Sequence, residues 1–265
     1  MVFEDKRTSG RRANLAMIVE LGSRTMNEIV RVPGAAIPGV LAPTIFFLGL
    51  NGAFGHLTDL HSFSSTDNYL NWILPVSILQ GAGFTGAATG VNLARDIEQG
   101  WFDRLLVSPA PRWVLLASAV LSASVRALIP GTFVFAMAML LGGAWPGAVG
   151  LGLAVLVVMA MAAVAACWGT MLALRYKSQA AAPLMQAGMF VLILTTSAYA
   201  PRPLLEGWLH HVAEINPATE VLEAIRQGFI GPVTWHETWP GLIALAGMLA
   251  VLGALSLRGM RRAAA

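Results

Sequence analysis

Charge is what this chain has least of. Asp, Glu, Lys and Arg make up only 12% of its 265 residues, against 56% apolar residues and a mean hydropathy of +0.67. That balance excludes an ordinary soluble domain and a disordered chain, and defines a polytopic membrane protein. Cysteine occurs once, as Cys167, so no intrachain disulfide framework exists. Lysine occurs only as Lys6 and Lys177, preceded by Asp5 and Tyr176. A Walker A loop needs a Gly-Lys-[Ser/Thr] ending whose lysine reaches the phosphates, so this chain cannot build one. Acids are missing from every long apolar run, which disfavours a proton-coupled cycle built on an intramembrane carboxylate. No HExxH run or cysteine cluster accompanies His210, His211 and Glu214, and adjacent histidines point to different sides of a helix. Neither a metal site nor a catalytic constellation is expected, which leaves a membrane-embedded enzyme as a disfavoured alternative.

What is present is hydrocarbon, arranged in blocks. Six apolar segments at 34–56, 70–93, 115–142, 147–174, 180–200 and 239–257 reach the ~20 residues that cross a bilayer as a helix. Prolines within them (Pro38, Pro43, Pro75, Pro130, Pro183) are compatible with spanning helices, because neighbouring spans satisfy the freed backbone groups. The run from Gly81 to Gly90, GAGFTGAATG, offers a surface of small residues for close helix packing.

Before the first span, residues 1–13 are polar and basic and lack the apolar core of a signal peptide. Residues 14–32 are amphipathic: Leu15, Ile18, Val19, Met26, Ile29 and Val30 oppose Glu20, Arg24, Glu28 and Arg31. This pattern predicts a helix lying in the membrane interface.

Basic residues orient the chain. With the N-terminus inside, Arg24, Arg31, Arg95, Arg104, Arg112, Arg175, Lys177, Arg258, Arg261 and Arg262 all fall on the cytoplasmic side with the basic N-terminal segment. Only Arg202 and Arg226 fall outside, and Arg126 lies within a span. The positive-inside rule therefore places both termini in the cytoplasm of a multi-pass protein of the cell membrane. For Arg126 two readings stay open: snorkelling of its long side chain towards the cytoplasm, or a role at a cargo or subunit interface.

One charged stretch interrupts the hydrocarbon. Residues 94–112, ARDIEQGWFDRLLVSPAPR, fall between the second and third spans on the cytoplasmic side. Ile97, Trp101, Phe102, Leu105 and Leu106 make an apolar stripe at helical spacing, with Asp96 and Glu98 in the expected first turn and Pro109 and Pro111 as the stop. Interfacial anchor and partner-docking surface fit this pattern equally. On the external side, 201–238 holds two short amphipathic stretches around Trp208 and Ile225, separated by Asn216-Pro217. They predict a re-entrant helical hairpin before the last span, with Glu223 and Arg226 paired three residues apart.

The pattern Asp96-x-Glu98-x-Gly100-x-x-x-Arg104-Leu105-x-x-x-Pro109-x-x-Arg112 resembles the signature of permeases in the type-2 exporter superfamily of ABC transporters, and most of all the daunorubicin-resistance type. The stretch Ser197–Gly231, with Trp208, Asn216, Pro217, Glu223 and Arg226, is similar to that family's external segment, and Arg31-Val32-Pro33 to its entry into the first span. The resemblance implies a single all-α permease domain over 1–265 that pairs with a second copy or a paralogue. It implies a separate cytoplasmic ATPase that holds the ATP and Mg, and a hydrophobic or amphipathic cargo such as a drug, antibiotic or lipid. A lipid-linked glycan is the rival cargo, and a channel is a more distant alternative. No cofactor in this chain and no nucleic-acid partner are implied. In this reading 94–112 is the coupling helix: Trp101, Phe102 and Leu105 supply contact area, Asp96, Glu98, Asp103 and Arg104 set register, Gly100 permits close approach and Pro109 ends the helix. Arg24, Glu28 and Arg31 belong to the interfacial helix, and Trp208, Asn216, Pro217, Glu223 and Arg226 to an external gate.

Overall fold

The computed structural model describes residues 37–59, 66, 68–102 and 111–263. The expected interfacial helix with Arg24, Glu28 and Arg31, and the coupling residues Asp103, Arg104, Leu105 and Pro109, lie outside the described residues.

Nine α-helices follow one another with no strand among the described residues: α1 (Ile37–Phe54), α2 (Tyr69–Glu98), α3 (Arg112–Arg126), α4 (Leu128–Leu140), α5 (Gly147–Tyr176), α6 (Ala182–Leu194), α7 (Gly207–Ile215), α8 (Pro217–Ile230) and α9 (Trp235–Ala263). Three helical stretches are long and apolar enough to cross a membrane: Arg112–Leu140, Gly147–Tyr176 and Trp235–Arg262. Two shorter apolar helices, Gly39–Phe54 and Gln179–Leu194, accompany them. At 30 residues α2 is as long as α5 but less apolar.

The centre of the bundle is α2, which packs against α1, α3, α4, α5, α6 and α8. Its small residues let α5 approach to backbone contact. A Cβ on Gly90 would lie 2.2 Å from the Gly169 carbonyl carbon, and one on Gly86 would lie 2.4 Å from the Ala162 oxygen. Between helices in hydrocarbon there is no hydrophobic drive, so association rests on close packing of this kind. The Gly81–Gly90 run therefore does what its composition predicts.

Two predicted spans are interrupted. The third bends at Ala127, between α3 and α4. Pro130 supplies the cause: it has no N–H to donate to the carbonyl of Arg126, and its ring crowds that turn. The fifth is helical only to Leu194, and residues 195–200 continue as bends. Thr195 and Thr196 turn their hydroxyls back onto the carbonyls of Val191 (2.8 Å) and Ile193 (2.6 Å), a local alternative to continuing the helix.

Gly90→Ala should lower stability by about 1–3 kcal/mol through forced separation of α2 and α5. Gly52→Ala, where the added carbon meets nothing within 4 Å, should be neutral or slightly stabilising. Thermal unfolding of the two variants in the same detergent checks both.

Candidate functional site

The C-terminal end of α2 corrects the expected coupling helix. Residues 94–98 are the last turns of α2 and not the start of a new helix, so Asp96 and Glu98 sit at a helix C-terminus. Nothing before Gln99 breaks the helix, whereas Gly100 takes φ +72°, a left-handed conformation that glycine adopts without strain. Its N–H bonds the Ile97 carbonyl at 3.1 Å. Gly100 is therefore a helix terminator. Nothing lies within 4 Å of where its Cβ would stand, so within this chain it serves no close approach.

Past that turn the chain splits its aromatic pair. Phe102 is buried with Leu116, Leu174 and Met260, joining the ends of α2, α5 and α9 to the start of α3. Trp101 is half exposed. Around this plug the same end of the bundle carries Arg175 and Lys177 from α5 and its C-cap, and Arg258, Arg261 and Arg262 from α9.

Glu98 faces the turn between α5 and α6. Its Oε1 accepts from Ser178 Oγ (2.7 Å) and from the Gln179 backbone N–H (2.9 Å), and its Oε2 accepts from Gln179 Nε2 (2.6 Å). Arg95 Nε donates to Gln179 Oε1 at 3.3 Å. Bonds from Gln179 and Ser178 stabilise the carboxylate and hold it below the usual range. Ser178 in turn accepts from Ala180 N–H (3.1 Å), capping the turn that opens α6. Glu98 is thus engaged within the chain.

At the opposite end the hairpin is deeper than an external cap. α7 is largely exposed, with Trp208 at its start, while α8 is buried on most of its length against α2, α5 and α9. Asn216 caps α8 by accepting from Ala218 N–H (2.9 Å), with Pro217 at the first helical position. The predicted Glu223–Arg226 pair forms at 3.0 Å. Arg226 is fully buried: Nη2 donates to the Ser197 carbonyl (2.8 Å), Nη1 also reaches Ser197 Oγ (3.3 Å), and the guanidinium lies 3.7 Å from the centre of the Trp72 ring. Ser197 Oγ donates to Glu223. Tyr69 donates to the Tyr199 carbonyl at 3.2 Å. Arg202, on the loop before α7, pairs with Glu220 at 2.8 Å.

His210 pairs with Glu214 (3.3 Å), and its other ring nitrogen meets the Arg202 carbonyl (3.2 Å). Among the described residues no group of three His, Cys, Asp or Glu is placed to hold a metal ion.

Arg126 does not snorkel. It is buried and donates to Thr89 Oγ1 on α2 at 2.8 Å. The reason is depth: it closes α3 about 21 Å of helix rise from Arg112, beyond the reach of one side chain to the interface.

Sequence reasoning missed Ser178, Gln179, Ser197 and Trp72. The capping role of Ser178 was readable from a serine opening a helix, but its carboxylate partner lies 80 residues away. A further cluster was also missed: Phe84 of α2 and Phe190 of α6 stack with centroids 6.0 Å apart, and Phe46 of α1 meets Phe190 edge-on at 6.2 Å. All three are half-buried.

A bundle of this kind, with long apolar helices around a small-residue core, is a helical membrane protein. A family model for the ABC-2 type transporter matches residues 18–230, and the chain belongs to that family. It is 25% identical over 239 residues to the daunorubicin resistance ABC transporter permease protein DrrB1 of Streptomyces coeruleorubidus, covering 89% of this chain and 82% of that one. Over 212 residues it is 27% identical to the transport permease ycf38 of Cyanophora paradoxa, covering 78% and 71%. Over 172 residues it is 26% identical to the probable multidrug ABC transporter permease YbhR of Escherichia coli, covering 60% and 44%. The chain is an ABC-2 permease.

Arg226→Met should cost about 3–5 kcal/mol, because it leaves Glu223 without its cation in a largely buried setting. Adding Glu223→Gln should restore part of that loss. A double-mutant cycle read by thermal unfolding in nanodiscs measures the coupling.

The Glu98 clasp carries its own pH signature. A carboxyl held below its usual range contributes stability above that range, lost as pH falls through the folded-state value. Exchange of the Gln179 amide, corrected for its intrinsic rate, should accelerate below about pH 4.5 in the native chain. In Glu98→Gln that step should be absent.

Proposed function

We propose that the chain is the membrane half of an ATP-driven exporter that moves a hydrophobic or amphipathic, drug-like cargo outward, powered by a separate ABC ATPase. The observation that carries the coupling part is the terminated end of α2. Phe102 is held in the bundle while its neighbour Trp101 stands exposed, so a partner pressing on Trp101 pushes directly on α2. Membership of the ABC-2 family supports the ATPase partner and a paired permease. The six apolar segments, counting α2 and the two short helices, are six spans of one permease domain in the cell membrane. Both termini are cytoplasmic, which the cationic end formed by α5 and α9 supports. The ATP and Mg reside on the partner.

For the cargo, support comes from the three half-buried phenylalanines on α1, α2 and α6. Phe46, Phe84 and Phe190 offer flat apolar surface within the spans, suited to an aromatic or amphipathic molecule. Relatives named for daunorubicin resistance and multidrug transport agree with that class.

Affinity purification of the tagged chain from its own cells, followed by mass spectrometry, should recover an ABC ATPase; recovery of none overturns the reading. In the reconstituted complex Trp101→Ala should reduce cargo-stimulated ATP hydrolysis about three- to tenfold with insertion unchanged, the scale of one lost interface anchor. Phe84→Ala should raise the KM for efflux of daunorubicin, followed by its own fluorescence, more than it lowers kcat.

A further inference from the structure

The short helix α6 differs from the other spans in how it is held. Its buried residues are a single stripe, Met185, Met189 and Ile193, and the rest of its surface is half-buried or exposed. Both ends, in contrast, are fixed by side chains from elsewhere. At the cytoplasmic end, Glu98 of α2 grips Ser178 and Gln179, which open the turn leading into α6. At the external end, Asn216 Nδ2 donates to the Leu192 carbonyl (2.8 Å) and to Thr195 Oγ1 (3.0 Å). The last carbonyls of a helix have no intrahelical donor, so Asn216 meets a need of α6 with one atom and of α8 with another. Midway, Gly188 lies against the Trp168 indole, where a Cβ would come within 2.7 Å. The same indole donates to the Met185 carbonyl at 3.2 Å.

We infer that α6 is a lever. It pivots on Trp168 and carries displacement between the coupling end of α2 and the external hairpin, with Gln179 and Asn216 as its positioning residues. The 16 residues Gln179–Leu194 give a rod about 24 Å long, stiff along its axis and buried on one stripe. Force applied near Gly100 reaches Gln179 through the Glu98 carboxylate and Arg95. Rocking about Trp168 then moves Thr195 and Asn216, and with them the start of α8. Arg226, gripping Ser197 from α8 and resting on Trp72, ties the other end of α8 to the far end of α2. The use of this lever in export rests on the function proposed above, but its existence does not.

The test needs neither ATPase nor cargo: hydrogen–deuterium exchange of the full chain in lipid nanodiscs. Asn216→Asp keeps an acceptor for the Ala218 N–H, so the α8 cap survives, and removes both donor bonds to α6. Loss of such bonds should speed exchange at 178–182, at the far end of the helix, by about two- to tenfold. Gln179→Ala should do the same at 195–200 and 212–218, because coupling between two sites is reciprocal. Changes confined in both variants to the mutated end overturn the lever, as does a rise shared by the α2–α5 core, which would be general loosening. A reciprocal response in a protein that fails to recruit an ATPase would leave the lever standing and sink the exporter reading.

Discussion

The bundle depends on one place where two helix backbones touch. At Gly90 and Gly169 there is no room for a single carbon, and the same holds one turn away at Gly86 against α5. Lipid tails are as apolar as leucine, so contact area at this density is what separates the folded pair from two helices dispersed in the bilayer. Once α2 and α5 are fixed to each other, the remaining helices have a rigid surface to assemble on. The two ends of α2 become reference points: Trp72 at one and Glu98, followed by Phe102, at the other.

The polar groups follow from the breaks that this arrangement tolerates. Non-helical backbone is admissible at membrane depth only where protein supplies the missing partners. After α6 ends, the chain runs irregularly through 195–200, and its carbonyls are met individually: Ser197 by Arg226 and Tyr199 by Tyr69. Arg226 is thus the donor that lets the helix stop. Its own charge is balanced by Glu223 and by the face of Trp72, which removes the penalty of an isolated buried ion. The Glu98 clasp does the corresponding work in water, where the α5–α6 turn is held by three bonds to one carboxylate.

How much of this was legible in the chain depends on the range of the interaction. Apolar blocks, the packing role of Gly81–Gly90, the hairpin turn at Asn216-Pro217 and the Glu223–Arg226 pair are all set by neighbours within a few residues, and periodicity and capping rules reach that far. The end of α2 was misjudged because the acids Asp96 and Glu98 were read by the helix-dipole rule as a first turn. The nearer signal was Gly100, whose left-handed conformation ends a helix. Of the two readings open for Arg126, snorkelling fails because it assumes a free path to water, whereas the start of its helix is too far away and Thr89 is close. Glu98 to Gln179, Asn216 to Leu192 and the phenylalanine stack join residues remote in sequence, and no local pattern encodes such partners.

Apolar residues face both inward and outward in this bundle, for the same physical reason. α2, the most enclosed helix, is too poor in apolar residues to stand among the three long apolar stretches, while the Trp235–Arg262 stretch of α9 qualifies with only 17% of its most apolar window buried. Where the solvent is hydrocarbon, large apolar side chains gain nothing by turning inward, and Ile243, Val251 and Leu255 stay on the outer face. Beside large buried side chains such as Ile73, Leu74 and Leu79, the interior collects glycine, alanine, serine and threonine, whose small volume allows contact and whose hydroxyls find carbonyls, as Ser77 finds Ile73 and Ser256 finds Cys167. A helix selected for that interior becomes less apolar, and so less recognisable as a span, in proportion to how central it is. The charged stretch follows the same logic: it begins in the last turn of the most enclosed helix, where Arg95 and Glu98 meet Gln179 at an exposed end.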